Sequence, residues 1–166
     1  MNDPTENEKG PEDHEIKPHV TGLKKADPIK RIIAFIIDVI ASMIIGLIPV
    51  VGGIIGALYM LFRDALPIDV LDKKSIGNKL LNLSVIKIED QEAVIDYATS
   101  AKRNWMFSLG PVMLFFIYIP ILGWFIDIIL AIALFVLIVI ELLKIFLDEK
   151  GIRLGDKWAG TMVIED

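Results

Sequence analysis

The stretch that most constrains this chain is residues 32–62, an apolar run of 31 residues in which Asp38 is the only charged residue. About 20 helical residues cross the roughly 30 Å hydrocarbon core of a bilayer, so this run fits two crossings better than one. Pro49 and the glycine pair at 52–53 lie where a bend between two helices is expected. Because Asp38 follows Arg31 by seven residues, it lies about 10 Å into the membrane, where a carboxylate faces a bundle interior or a water-filled cavity.

The composition of the whole chain indicates a membrane protein. Of its 166 residues, 54% are hydrophobic, and the mean hydropathy of +0.59 is high for a soluble domain. The chain has no cysteine, which excludes a disulfide framework and cysteine metal sites. It also contains no H-E-x-x-H, G-x-S-x-G or phosphate-binding loop motif. The sequence therefore predicts no enzymatic activity, no cofactor, no metal and no nucleic-acid partner.

The order of apolar and polar segments predicts an all-α membrane protein with four transmembrane helices, arranged as two helical hairpins that repeat in parallel. Short cytoplasmic β-strand pieces are expected as well, because residues 82–89 are rich in β-branched residues and partly alternate. Residues 1–27 are acidic and proline-containing, which predicts a disordered cytoplasmic tail before a membrane domain at 28–166. The predicted segments are helices at about 31–48, 50–66, 104–122 and 124–146, a cytoplasmic segment at 67–103 and a cytoplasmic end at 147–166.

The basic residues predict the orientation of these helices. Of the 17 Lys and Arg residues, six lie in 1–31, seven in 63–103 and four in 144–166, and the two hairpin bends contain none. Lys and Arg accumulate in the cytoplasmic loops of membrane proteins, and four crossings place all three basic segments on that side. The chain is therefore expected to be a multi-pass protein of the cytoplasmic (inner) membrane with both termini in the cytoplasm.

The two halves of the chain resemble each other, which indicates an internal repeat. Each half starts with a basic pair, Lys30-Arg31 or Lys102-Arg103. Each half ends on a similar cytoplasmic pattern, IGNKLLNLSVI at 76–86 or LGDKWAGTMVI at 154–164. Two crossings per half give a parallel repeat, an arrangement known among transporters whose sites lie at the repeat interface. We expect the two strand-like pieces to pair beneath the membrane.

Four segments also carry a resemblance to a known family: KRIIAFIID at 30–38, GNKLLNLSV at 77–85, RN at 103–104 and LGDKWAGTMV at 154–163. Through them the chain resembles the RDD family of small bacterial integral membrane proteins, over about residues 28–166. The resemblance implies that the family's arginine is Arg31, its intramembrane aspartate Asp38 and its later aspartate Asp156. It also implies transport, including cation–proton exchange. Asn78 and residues 154–155 stand where the family often has basic or histidine residues, which implies an altered specificity if these positions contact a ligand.

Asp38 has two interpretations that the sequence leaves open. As a functional group it is an intramembrane carboxylate that binds a proton or a cation. As a structural group it is a buried acceptor that pairs with Arg31 or Arg63 and fixes the packing of the helices. Removing one member of a buried ion pair costs about 3–5 kcal/mol, so loss of folding can imitate loss of function. Asp156 also has a structural interpretation, as a residue that stabilises a turn or caps a helix.

Four further charged residues are secondary candidates for a polar site: Arg63, Arg103, Asp127 and Glu141. For Asp127 and Glu141 we favour a structural role, because they lie closer to the membrane surfaces than Asp38. Arg31 and Arg103 have the alternative role of anchors at the level of the lipid headgroups.

Two functions of different classes follow from these observations. The first is a small transporter or cation/proton exchanger that uses Asp38, with an unidentified ion or small ligand. Four short helices enclose little volume, so a pathway through them implies a homo-oligomer in the lipid bilayer. The second is a membrane-anchored adaptor or assembly partner, in which the acidic tail and residues 67–103 bind another protein.

Overall fold

A computed structural model describes residues 23–166 of the chain. Residues 1–22, most of the tail predicted to be disordered, lie outside this range. Lys25, which also belongs to that predicted tail, forms a β-bridge with Ile164. The elements of regular structure are α1 (Pro28–Gly46), α2 (Gly52–Phe62), a 3₁₀ turn (Asp69–Leu71), α3 (Ile76–Leu80), β1 (Leu83–Lys87), α4 (Tyr97–Phe116), α5 (Leu122–Leu147), α6 (Leu154–Ala159) and β2 (Thr161–Glu165).

Local capping residues shift the helix boundaries from the predicted ones. α1 begins three residues before the predicted position 31, because Asp27 accepts hydrogen bonds from the amides of residues 29 and 30 and Pro28 suits a first helical turn. α4 begins at Tyr97, ahead of the predicted 104, because Asp96 caps it through the amide of Thr99. α2 is shorter than predicted and ends at Phe62, where the chain turns.

Among the described residues, α5 is the one helix that is both long and apolar enough to cross a membrane, by its length of 26 residues and its composition. α2 is equally apolar in character but has only 11 residues. α1 has 19 residues and an apolar surface, but it carries Lys30, Arg31 and Asp38. These three helices and α4 supply the apolar surface of the protein.

Small residues allow the helices to pack closely around α2. A Cβ atom added at Gly53 would lie 2.8 Å from the carbonyl oxygen of Pro111 on α4, and one added at Gly56 would lie 2.9 Å from the Ser42 hydroxyl on α1. Ser42 also donates a hydrogen bond of 3.1 Å to the carbonyl oxygen of Gly56. The close helix contact expected from the glycine spacing is therefore present, with α2 between α1 and α4.

β1 and β2 form a two-stranded antiparallel sheet beside the helices, in which Ser84 is opposite Ile164 and Ile86 is opposite Met162. The predicted pairing of the two strand-like pieces is thus confirmed. Leu83 and Val163 are buried in the small core between the sheet and α1. Each strand directly follows a short helix, α3 or α6, and because the strands are antiparallel these two helices lie at opposite ends of the sheet.

Polar and apolar side chains are distributed in the reverse of the usual soluble pattern. Large hydrophobic residues of α1, α2 and α5 are exposed over much of their surface, including Ile129 at 68% and Phe135 at 68%. The interior near the short helices is instead rich in charged and polar side chains that are almost completely buried. An apolar exterior around a polar interior is what a protein surrounded by lipid requires.

Candidate functional site

Asp38 lies on α1 and is 1% exposed, with a hydrogen-bond partner on both carboxylate oxygens. The Tyr59 hydroxyl donates to Oδ1 at 2.7 Å, and the amide of Gly77 donates to the same oxygen at 2.9 Å. Arg63 donates from Nη1 to Oδ2 at 2.9 Å. Of the two pairing partners considered from the sequence, Arg63 is therefore the one that the structure places against Asp38.

Asp156 lies on α6, is fully buried and accepts hydrogen bonds from three guanidinium groups. Arg31 donates from Nη2 at 2.6 Å, Arg103 from Nε at 2.7 Å and Arg153 from Nη2 at 3.2 Å. Burial alone would raise the pKa of Asp156, but the charges of Arg153, Arg103 and Arg31 reverse this and hold its pKa well below the usual value. Asp156 is thus ionised at neutral pH and forms a centre for three basic side chains.

Asp64 connects the Asp38 and Asp156 centres. It accepts hydrogen bonds from Arg103 at 2.9 Å, from Asn104 at 2.7 Å and from Asn78 at 3.2 Å. Asn104 also accepts a bond of 3.2 Å from Nη2 of Arg63, the partner of Asp38. A continuous chain of polar contacts therefore runs from α1 and α2 through α4 to α6. We call these residues, with Glu141, the buried charge cluster.

The buried charge cluster is electrically balanced when all its groups are ionised. Its four basic members are matched by four acidic ones: Arg31, Arg63, Arg103 and Arg153, with Asp38, Asp64, Glu141 and Asp156. Charges removed from water are costly unless they are paired and hydrogen-bonded. The balance therefore explains how so many ionised groups can be buried together next to the apolar helices.

Two carboxylates hold the short helices in the same way. Asp38 on α1 accepts from the amide of Gly77 in α3 at 2.9 Å, and Glu141 on α5 accepts from the amide of Gly155 in α6 at 3.0 Å. Each glycine is the second residue of its helix, where a backbone N–H has no partner within the helix. A side chain at either glycine would overlap a backbone carbonyl of a longer helix. The carboxylates and the glycines together fix both short helices at the ends of the long ones.

Glu141 is 2% exposed, and its two oxygens differ. Oε1 accepts the Gly155 bond, whereas Oε2 has no hydrogen-bond partner among residues 23–166; the Arg153 Nε atom is 3.9 Å from it. Burial lowers the pKa of Arg153, but the charges of Asp156 and Glu141 outweigh this and hold it above the usual value. Glu141 and Arg153 both line a small cavity of about 40 Å³ beside the buried charge cluster.

A larger, apolar cavity of about 300 Å³ lies next to this polar one, between α1, α4 and α5. Phe35 and Phe107 line both cavities, and their ring centroids are 4.6 Å apart. The guanidinium groups of Arg63 and Arg153 lie over the Phe107 ring at 5.9 and 5.3 Å from its centroid. The two rings therefore form the boundary between charged and apolar surroundings.

The family model described as RDD family matches residues 49–160 of the chain. The chain belongs to the RDD family. This is a family of membrane proteins, in agreement with the apolar length of α5. No curated protein and no solved structure matches the chain.

The RDD match covers six of the eight charged members of the buried charge cluster and begins after the other two, Arg31 and Asp38. In this RDD family protein, however, Arg31 and Asp38 are part of the same cluster through their bonds to Asp156 and Arg63. The guanidinium groups of Arg31 and Arg103 are buried and face Asp156, so they do not point toward the lipid headgroups.

The structure brings six of the seven candidate residues together and leaves one apart. Asp127 lies near the start of α5, whereas Glu141 lies in the second half of that helix. Oδ1 of Asp127 has no hydrogen-bond partner within the described chain. Sequence reasoning missed three members of the polar network, Tyr59, Asp64 and Arg153, and it named Asn78 and Asn104 only as parts of the family resemblance. The sequence contained a signal for two of these residues. Asp64 directly follows the candidate Arg63, and Arg153 directly precedes the Leu-Gly-Asp segment that contains the candidate Asp156.

Proposed function

We propose that this RDD family protein crosses the cytoplasmic membrane four times, through α1, α2, α4 and α5, with both termini in the cytoplasm. The segregation of all 17 Lys and Arg residues into three segments supports this topology. The helical part of α2 rises only about 16 Å at 1.5 Å per residue, so the apolar turns beside it are needed to complete its crossing.

We infer further that the protein is an internal repeat of two helical hairpins. The inference is supported by the similar segments at 76–86 and 154–164 and by the matching bonds of Asp38 to Gly77 and of Glu141 to Gly155. Each half then consists of two membrane helices, a short helix and a strand. The buried charge cluster lies where the two halves meet, the position at which transporters with repeats bind their substrates.

The function that the geometry supports best is exchange of a cation for protons across the membrane, with the buried charge cluster as the site that handles the proton. The observation that carries this proposal is the combination of ionisable groups and a cavity of about 40 Å³ within one membrane-embedded network. Intramembrane ionisable residues are expensive to bury and mark ion and proton pathways in many transporters. The large exposed apolar surface of α5 offers a contact face for a second copy, so we expect a homo-oligomer.

The exchange proposal is tested by cation-driven proton flux in proteoliposomes that contain the purified full-length protein. Wild type is compared with Asp38→Asn, a change that keeps the size of the side chain and removes its charge. Monodispersity and thermal stability are measured for both proteins, so that misfolding is detected separately. Flux from the wild type across a panel of monovalent cations supports the exchanger, and no flux from a well-folded wild type contradicts it.

A second function, that of a membrane-anchored adaptor without transport, is favoured by the complete pairing of Asp38. A carboxylate with Tyr59, Arg63 and Gly77 as donors has no oxygen left for an ion. In this case the network serves folding, and the acidic residues before α1 serve recognition. Deletion of residues 1–22 discriminates between the two functions, because it should leave ion flux unchanged and abolish the binding of a partner protein by an adaptor.

A further inference from the structure

The two carboxylates that hold the short helices differ in one respect. Asp38 and Glu141 each use one oxygen for a backbone amide of α3 or α6. The other oxygen of Asp38 receives Arg63 at 2.9 Å, but Oε2 of Glu141 has no hydrogen-bond donor in the described range 23–166. Because Glu141 is 2% exposed, this oxygen is also shielded from bulk water. Glu141 is thus the carboxylate with a free acceptor position.

Glu141 lines the cavity of about 40 Å³, and so does Arg63, whose Nε is unpaired within the part of the chain that the structure describes. A water molecule needs about 10–15 Å³ by the same measure, so the cavity of about 40 Å³ has room for about three of them. Buried waters need polar partners, and the free Glu141 and Arg63 atoms are suitable ones. The cavity is therefore a place where water can reach Glu141.

The charged surroundings decide which cation Glu141 can take. The groups that line the cavity from the neighbouring elements are Arg31 and Asp38 of α1, Arg63 after α2, Arg103 of α4 and Arg153 before α6. Four guanidinium groups repel a metal cation, which would also need several oxygen ligands. No group of three or more metal-ligating side chains is found in residues 23–166. The same charges oppose an added proton as well, but a proton needs only the one free oxygen and no further ligand.

We propose that Glu141 is the proton-binding carboxylate of this protein and that it exchanges its proton with water in the adjoining cavity. A hydronium ion transfers a proton to Oε2, which leaves a neutral carboxylic acid and a water molecule. The bond from Gly155 to Oε1 is retained. The proposal rests on the proposed function, because it names the group that carries the proton in the exchanger, and it leaves Asp38 as a fixed ion-pair partner.

Infrared difference spectroscopy of the full-length protein in lipid nanodiscs tests this proposal independently of transport. Protonated carboxyl groups have a carbonyl-stretch band that carboxylates lack. Exposed glutamates ionise near pH 4.3, so a band that persists above about pH 6 reports a shielded group. We expect this band in the wild type, its loss in Glu141→Gln and its retention in the control Glu149→Gln, which changes an exposed residue of the same type.

A second measurement keeps the test valid if Glu141→Gln does not fold. Wild-type protein labelled with ¹³C at the glutamate carboxyl carbon should show a shifted band, and protein labelled at aspartate should not. Three outcomes overturn the proposal. The band is absent above about pH 6, or it persists in folded Glu141→Gln, or it shifts only when aspartate is labelled. A band assigned to Glu141 together with no flux from wild-type proteoliposomes keeps the proton site and removes the exchanger.

Discussion

Asp156 Oδ1 lies 2.7 Å from Nε of Arg103, and this ion pair joins the short helix α6 to the long helix α4. The same guanidinium group donates from Nη1 to Asp64 at 2.9 Å. One side chain, 2% exposed, therefore neutralises two buried carboxylates that come from different parts of the chain. This makes Arg103 the central connection of the buried charge cluster.

Replacement of Arg103 by alanine should destabilise the protein strongly. The change leaves Asp64 and Asp156 with fewer counter-charges, and breaking a buried pair in this way costs about 3–5 kcal/mol. Thermal unfolding in detergent measures the effect. Lys102→Ala is the matched control, because its side chain is exposed and its removal should change the free energy of unfolding by no more than about 0.5 kcal/mol. Equal stability of the two variants would refute the central role of Arg103.

Asp38 and Arg63 should behave as a coupled pair. Asp38→Asn leaves the Arg63 charge uncompensated and should cost about 3–5 kcal/mol, whereas Tyr59→Phe removes one hydrogen bond and should cost about 1 kcal/mol. Combining Asp38→Asn with Arg63→Met should recover part of the loss, because neither charge then remains alone. A double-mutant cycle on unfolding free energies gives the coupling. Strict additivity would contradict the ion pair.

The two glycines of the short helices should not tolerate a side chain. Gly77→Ala and Gly155→Ala place a methyl group against the carbonyls of Ala34 and Arg103, and overpacking of this kind costs about 1–3 kcal/mol. Gly110→Ala is the control, because its nearest neighbour would lie 3.5 Å away in ordinary contact and alanine favours a helix. The unfolding temperature should fall for Gly77→Ala and Gly155→Ala and should not fall for Gly110→Ala. A fall for all three variants would contradict the explanation by close contact with a carbonyl.

Acid should weaken the protein through Asp156. Its folded-state pKa lies below the ordinary value, so its stabilising effect is complete above about pH 4 and is lost as the pH falls from there through the folded-state pKa. The difference in unfolding temperature between wild type and Asp156→Asn should therefore be large at pH 7 and should narrow below about pH 4. Glu89→Gln, which changes an exposed residue, should follow the wild-type curve. A difference that is independent of pH would contradict an ionised Asp156.

Cysteine crosslinking should report the register of the sheet. The chain contains no cysteine, so introduced pairs have no background. Ser84→Cys with Ile164→Cys places the thiols directly opposite each other and should form a disulfide on mild oxidation. Ser84→Cys with Met162→Cys is a diagonal pair, about 7–8 Å apart, and should crosslink far less. Gel mobility with and without reductant shows the difference, and equal crosslinking would contradict the observed register.

Periodicity and charge made most of the helices and the sheet predictable from the sequence. The apolar runs located α1, α2, α4 and α5, and the similar segments at 76–86 and 154–164 located the two strands that pair. Helix ends were less predictable because they depend on single capping residues. Asp96, for example, starts α4 seven residues before the apolar run begins.

The members of the candidate site were easier to predict than their pairing. Burial of Asp38 followed from its isolation among apolar residues, and the sequence offered Arg31 or Arg63 as its partner. Only the structure decides for Arg63, which lies 25 residues away, just after α2. Gly151 indicates the turn before Arg153, and it adopts a positive φ of 63° there, but the contact of Arg153 with Glu141 on α5 is not part of that local signal. Contacts between distant elements arise from tertiary packing, which a local pattern does not contain.

The 125 residues that separate Arg31 from Asp156 impose an order on biosynthesis. When α1 enters the membrane, the carboxylate that will neutralise its arginine has not yet been translated. Until then, Arg31 is a free cation, and in the proposed topology it keeps the start of α1 on the cytoplasmic side. The same positive charge thus acts first as a signal for insertion and later as an internal structural contact.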